Sequence, residues 1–178
     1  MHKTILSFWF AEIAPTQWWR ADPSFDADIR KRFSQVHEAA AAGELYGWRA
    51  TPDGRLAEII VLDQFSRNLH RATPRAFTAD PMALALAQEA VAACADASLP
   101  ARQLAFLYMP YMHSESRVIH QLAERLFRKA GLEANHESEL RHKAVIDRFG
   151  RFPHRNIILG RDSTAEEEAF LRQPGSSF

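Results

Sequence analysis

The sequence contains a single cysteine, Cys94, in 178 residues. That excludes an intramolecular disulfide framework and a cysteine-based zinc site. It also lacks surplus charge, since 22 Lys and Arg are balanced by 22 Asp and Glu. Nucleic-acid-binding and membrane-surface proteins usually need excess positive charge, so neither partner is expected. No run of ~18 apolar residues occurs, so no membrane span is expected. Lys3 precedes a short apolar stretch, but Glu12 interrupts it and no small-residue cleavage pattern follows. A signal peptide is not indicated, and a cytoplasmic location is expected.

Several chemical signatures are missing as well. There is no G-x-x-x-x-G-K-[ST] and no G-x-G-x-x-G, hence no phosphate loop or dinucleotide fingerprint. No G-x-S-x-G nucleophile elbow is present. His37-Glu38 and His136-Glu137 lack the second histidine of a zinc-protease helix. His113 and His120 are seven apart and could share a helical face, which is weak grounds for a metal. No metal and no cofactor is expected.

What is present is an ordinary globular composition, with 47% hydrophobic and 25% charged residues. The length suits one domain over 1–178. Lysine is scarce: four of the basic residues are Lys and 18 are Arg. Arginine makes fixed bidentate contacts where lysine is a point charge. A GC-rich genome would give the same bias.

The punctuation is helical. Asp22-Pro23, Thr51-Pro52, Thr73-Pro74 and Asp80-Pro81 each pair a capping residue with proline at the first helical position. Ser163-Thr164-Ala165-Glu166 reads as a capping box. Gly43 and Gly131 sit where helices should stop. Phe25, Ile29, Phe33 and Val36 recur at helical spacing. Helices are predicted near 24–42, 53–71, 81–94, 101–112, 116–130, 137–149 and 164–171, with short ones near 5–11 and 154–159. Strand alternation is absent, and Ile59-Ile60-Val61-Leu62 reads as a fully buried helix. Short connections predict antiparallel helix pairs in an all-α fold. Cys94 and the four tryptophans read as core.

Three polar constellations stand out. In the first, Asp63, Arg67 and Arg71 follow an apolar helix face. Asp63 and Arg67 are i,i+4 in the favourable order, with Gln64 and Asn68 beside them. In the second, residues 141–161 carry six Lys and Arg against one Asp, with His154, Arg155 and Asn156 in a first helical turn after Pro153. Cations there oppose the helix dipole and need a carboxylate such as Asp63 or Glu115, or a bound anion. The third is His113-Ser114-Glu115, after a helix interrupted by Pro110. His113 could be a base oriented by Glu115 or Asp63. Alternatively, the serine caps the next helix.

Leu62-Asp63-Gln64-Phe65-Ser66-Arg67-Asn68-Leu69 with Arg71 resembles the signature of the bacterial domain-of-unknown-function 924 family. So do Phe106 to Pro110 with His113-Ser114-Glu115, Arg148 to Asn156, Leu159-Gly160-Arg161, and Ser163-Thr164 to Phe170-Leu171. Phe8-Trp9-Phe10, Trp18-Trp19 and Phe25-Asp26 fit the family's start. Ser66 departs from it, standing where the family often has proline. The resemblance covers almost the whole chain. It implies an all-α, tetratricopeptide-like superhelix of helix pairs and brings no established activity.

Four readings follow. In the first, an anionic small molecule, carboxylate or phosphate, is bound by Arg67, Arg71, Arg151 and Arg155 with Asn68 and Asn156, oriented by Asp63 and Glu115. In the second, a hydrolase uses His113 or His154 as base, with Asp63 or Glu115 orienting it. A third is a module that binds a protein partner in a concave groove. The fourth is a buried ion-paired core that fixes the fold.

Overall fold

A computed structural model describes residues 1–129 and 131–177. Helix α1 (His2–Ser7) runs into a π-helical turn, Phe8–Glu12, and buries Ile5, Phe8 and Trp9. Helix α2 (Pro23–Ala41) starts as expected. Asp22 accepts from the backbone N–H groups of Ser24 and Phe25, satisfying donors the helix cannot pair itself. Its buried stripe is Phe25, Ile29, Phe33, His37 and Ala40.

The centre of the fold is a continuous helix over 52–69. It comprises α3 (Pro52–Ile60), a π turn (Val61–Phe65) and α4 (Ser66–Leu69). Thr51 caps it through Gly54 N–H. Every residue from Leu56 to Ser66 is buried, which bears out the buried-helix reading of Ile59 to Leu62. Gly54 has no alternative: a Cβ there would lie 2.0 Å from the carbonyl oxygen of Trp48. α3 packs against α1, α5 (Asp80–Ala92) and α6 (Ala101–Met112), and α2 covers the π turn and α4.

Helices α6 (Ala101–Met112), α7 (Arg117–Phe127) and α8 (Glu133–Phe149) then stack in sequence, α6 on α7 and α7 on α8. The fold is all-α, as expected, and no strand occurs among the described residues. Pro110 does not stop α6, which continues to Met112 with His113 at its C-cap. Gly150 ends α8 with φ 72°, a left-handed conformation that suits glycine. A 3-10 turn (Pro153–Arg155) and α9 (Ala165–Leu171) pack together at the C-terminal end. A small apolar cluster of Val145, Ile146 and Phe152 lies there, apart from the main core.

Several local expectations are corrected. The region 154–159 is a single 3-10 turn followed by hydrogen-bonded turns rather than a helix. α8 starts four residues earlier than predicted, with Leu132 at the N-cap and no side-chain cap to announce it. The expected end of α7 at Ala130 lies outside the described residues, and α7 itself ends at Phe127. The capping box is Thr164 with Glu167, one residue further along than read. Ser116, not Ser114, precedes α7, without a capping bond. Asp80 is not a cap but the first residue of α5. Cys94 is exposed at φ 53°, past the end of α5, and Trp19 is 61% exposed.

Candidate functional site

Asp63 sits in the π turn of the central helix. A π turn inserts a residue into the helical ladder and rotates the faces that follow, a feature common at functional sites. The Asp63 carboxylate is 1% exposed and fully engaged. Its Oδ1 receives His113 Nδ1 at 2.7 Å and lies 3.1 Å from Arg67 Nη1. Its Oδ2 accepts from Gln64 Nε2 at 2.6 Å. Burial alone would raise this carboxyl. Arg67, His113 and the hydrogen bonds outweigh burial and hold it below the usual carboxylate range.

His113 therefore faces an ionised carboxylate through Nδ1. Burial, then the Arg67 charge, lowers its tendency to take a proton, and Asp63 only partly restores it. The ring is neutral at pH 7, Nδ1 carries the hydrogen, and Nε2 is the basic atom. His113 Nδ1 thus pairs with Asp63. Glu115 instead accepts Arg161 through both oxygens, at 2.6 and 2.9 Å, and Phe152 N–H at 2.8 Å.

Arg67 is fixed by Asp63, as the i,i+4 spacing predicts, its Nη1 donating to the Asp63 carbonyl at 2.7 Å. It also makes a bidentate pair with Asp80, both bonds at 3.0 Å. Asp80 then reaches a second guanidinium, Arg155 Nη1, at 3.5 Å. Arg155 is clasped between the rings of Phe77 and Phe152, at 4.6 and 4.5 Å. Its side chain is only 8% exposed, and its buried Nε has no hydrogen-bond partner. Burial, then the neighbouring Arg67, pushes its pKa down to about 10. His154 lies beside it and is pushed down to about 4 by burial and by Arg155.

The structure thus joins one residue or more from each constellation: Asp63 and Arg67, Arg155 and His154, and His113. The remaining expected ligand residues go elsewhere. Asn68 and Arg71 both donate to Asp26 on α2, Arg71 through two bonds of 2.6 and 2.8 Å. The π turn and the helix end at Leu69 carry them away from the Asp63 face. Arg151 pairs with Glu167 at 2.6 and 2.8 Å, and Asn156 with Ser163 and Glu167. These clasps fasten α2 to α4 and α9 to the 150s turn.

Sequence reasoning missed Asp80 and Phe77 as site members. Asp80 carried a signal, but its position before Pro81 matched a helix cap. Among the described residues, no group of three or more His, Cys, Asp or Glu is placed to hold a metal ion. No helix there is long and apolar enough to cross a membrane.

The description "Bacterial protein of unknown function (DUF924)" matches residues 5–175. Comparison with curated proteins gives no match. A solved structure of a protein of unknown function from Agrobacterium tumefaciens is similar, with 36% identity, a TM-score of 0.92 and 96% of each chain covered. The chain belongs to the DUF924 family of bacterial proteins of unknown function.

Proposed function

We propose that this protein binds a small anionic molecule, a carboxylate or phosphate, at Arg155 and Arg67. The observation that carries this reading is the state of Arg155. A guanidinium held between two rings, with one long ion pair and an unpartnered buried Nε, has unused donor capacity in a low-dielectric setting. An unsatisfied buried donor costs about 1–3 kcal/mol, and more when charged. An oxyanion accepting from Nε would remove that cost. Asp80 already occupies part of this di-arginine position, so an incoming anion competes with its 3.5 Å contact. Arg71, Arg151, Asn68 and Asn156 serve as fasteners in this reading rather than as ligand contacts. A cytoplasmic location goes with a small-molecule role.

A second reading, catalysis on the bound anion, is favoured by the Asp63–His113 pair. A neutral imidazole held through Nδ1 by an ionised carboxylate presents Nε2 as a general base. His154, the other candidate base, has its protonation pushed down to about 4 by burial and by Arg155. Glu115 is tied to Arg161 and positions the Phe152 turn.

Thermal melts against phosphates, nucleotides and small carboxylates test the binding. A ligand at 100 times its Kd stabilises by about 2.7 kcal/mol. Arg155→Met should abolish the shift for the ligand that gives it. If no anion shifts the melt and Arg155→Met is strongly destabilised, the cluster is a buried ion-paired core and the reading fails. For catalysis, turnover of phosphate or carboxylate esters should be lost in His113→Gln, and absence of turnover in the wild type counts against it.

A further inference from the structure

Away from the Asp63 cluster, a cleft of about 180 Å³ opens between α2 and the segment that leads into α5. His37 and Ala41 line it from α2, His70, Arg75 and Thr78 from the connection, and Met82 from α5. An apolar cavity of ~150 Å³ accepts one benzene ring, so this cleft has room for a molecule of about that size.

Its polar groups are arranged asymmetrically. Arg75 is exposed and makes no ion pair among the described residues. Asp80 on α5 and Asp26 on α2 are committed to Arg67 and Arg71. His37 is fixed: Ser66 Oγ donates to the Leu62 carbonyl at 2.5 Å and accepts from His37 Nε2 at 2.7 Å. Ser66 can do this because it is not the proline that the family resemblance suggests at this position. The His70 ring lies 5.3 Å from that of His37. Burial, then His70 and Arg75, pushes His37 down to about 4. His70 is lowered by burial, Arg75 and Arg30, with Glu38 opposing. Arg75 is therefore the one charged side chain among the described residues lining the cleft, and the apolar part of the lining is the methyls and thioether of Ala41, Ala79 and Met82.

We propose that this cleft is a separate ligand site for a monocarboxylate with a small apolar body, the carboxylate on Arg75 and the body on Ala41, Ala79 and Met82. One cation matches one negative charge. The apolar wall gives no partner to the further oxygens of a phosphate. The site does not depend on ligand binding at Arg155.

The test is a two-dimensional NMR titration of the full chain with benzoate, benzyl alcohol and inorganic phosphate. Benzoate should shift the His37, His70, Thr78 and Met82 signals saturably. Benzyl alcohol should bind roughly tenfold more weakly or worse, as expected for loss of a hydrogen bond to a charged group. Arg75→Gln should bring benzoate to the level of the alcohol, and Met82→Glu should abolish its binding. Arg75 and Met82 are at the surface, so both variants should melt like the wild type. Arg155→Met should leave benzoate binding here unchanged, which separates this site from the Arg155 reading. The proposal is overturned by any of three results: no saturable shift at these residues, equal binding of benzoate and alcohol, or phosphate binding at Arg75 as tight as benzoate.

Discussion

His113 Nδ1 lies 2.7 Å from Asp63 Oδ1, joining the end of α6 to the π turn of the central helix across 50 residues of sequence. Asp63 carries the charge of this pair and His113 is neutral, because the Arg67 cation favours the carboxylate and opposes an imidazolium, while burial opposes charge on both. The pair therefore has a fixed tautomer and a defined basic atom. Arg67 links it to Asp80 and, through Asp80, to Arg155.

Removing the Asp63 charge should be costly. Breaking a buried ion pair by neutralising one partner costs about 3–5 kcal/mol. Asp63→Asn leaves Arg67 its Asp80 contact, so a loss near 3 kcal/mol is expected in urea unfolding at pH 7. The His113 pKa should fall further in this variant, since its one raising neighbour at hydrogen-bond distance is gone. A change below ~1 kcal/mol would mean that the pair is solvated like a surface bridge.

Acid should destabilise the fold in a window set by histidines. His37 and His154 are pushed to about 4 and His142 to about 3, chiefly by burial. The unfolded chain binds protons on these rings below about 6.5, while the folded chain does not. Stability is therefore full above pH 6.5 and falls as pH drops toward 4, by about 1.4 kcal/mol per pH unit for each ring. Asp63, Asp26 and Glu115, all lowered, add their own loss at still lower pH. Unfolding measured from pH 7.5 to 4 should show this slope, and His142→Gln should reduce it by one ring's share.

His120 and Glu139 require a shared proton. Both side chains are completely buried. The Ser114 carbonyl can only accept, so His120 Nε2, 2.8 Å away, carries hydrogen. The 2.7 Å contact between His120 Nδ1 and Glu139 Oε1 then needs another proton, on one atom or the other. Glu139 is raised by burial despite His120, with Glu124 also raising it and Lys143 opposing. A raised acid contributes stability at low pH that is lost as pH rises through its folded pKa. Glu139→Gln can donate to Nδ1 without a titrating proton. It should be near neutral at pH 6 and more stable than wild type at pH 9, whereas His120→Ala should be destabilised at both.

Much of this fold is written locally. The caps at Asp22 and Thr51, the apolar periodicity of α2 and the unbroken burial of Ile59 to Leu62 need only near neighbours. The i,i+4 link from Asp63 to Arg67 belongs to the same class. The partners of the other arginines do not: Arg71 meets Asp26 across 45 residues, and Arg161 meets Glu115 across 46. Local spacing cannot choose among acids that distant. The π turn was equally hidden, since its apolar run has the same pattern as an α-helix. Asp80 was misread because a first-turn aspartate before proline satisfies the capping pattern, while its actual partner, Arg67, lies on another helix. Cys94 was misread because alanine neighbours suggested a helix that the left-handed backbone at this residue ends.

Anion binding at this cluster turns on one atom, Arg155 Nε, and it can be observed directly. The Nε–H resonance of Arg155 should be followed by NMR while inorganic phosphate, and separately acetate and malonate, are titrated into the full chain. A saturable shift of this resonance is expected with at least one of these anions, accompanied by a shift of the Arg67 Nε–H signal and of His113. A resonance that stays still with all three anions, in a chain that remains folded, would contradict it and leave the cluster as a buried ion-paired core.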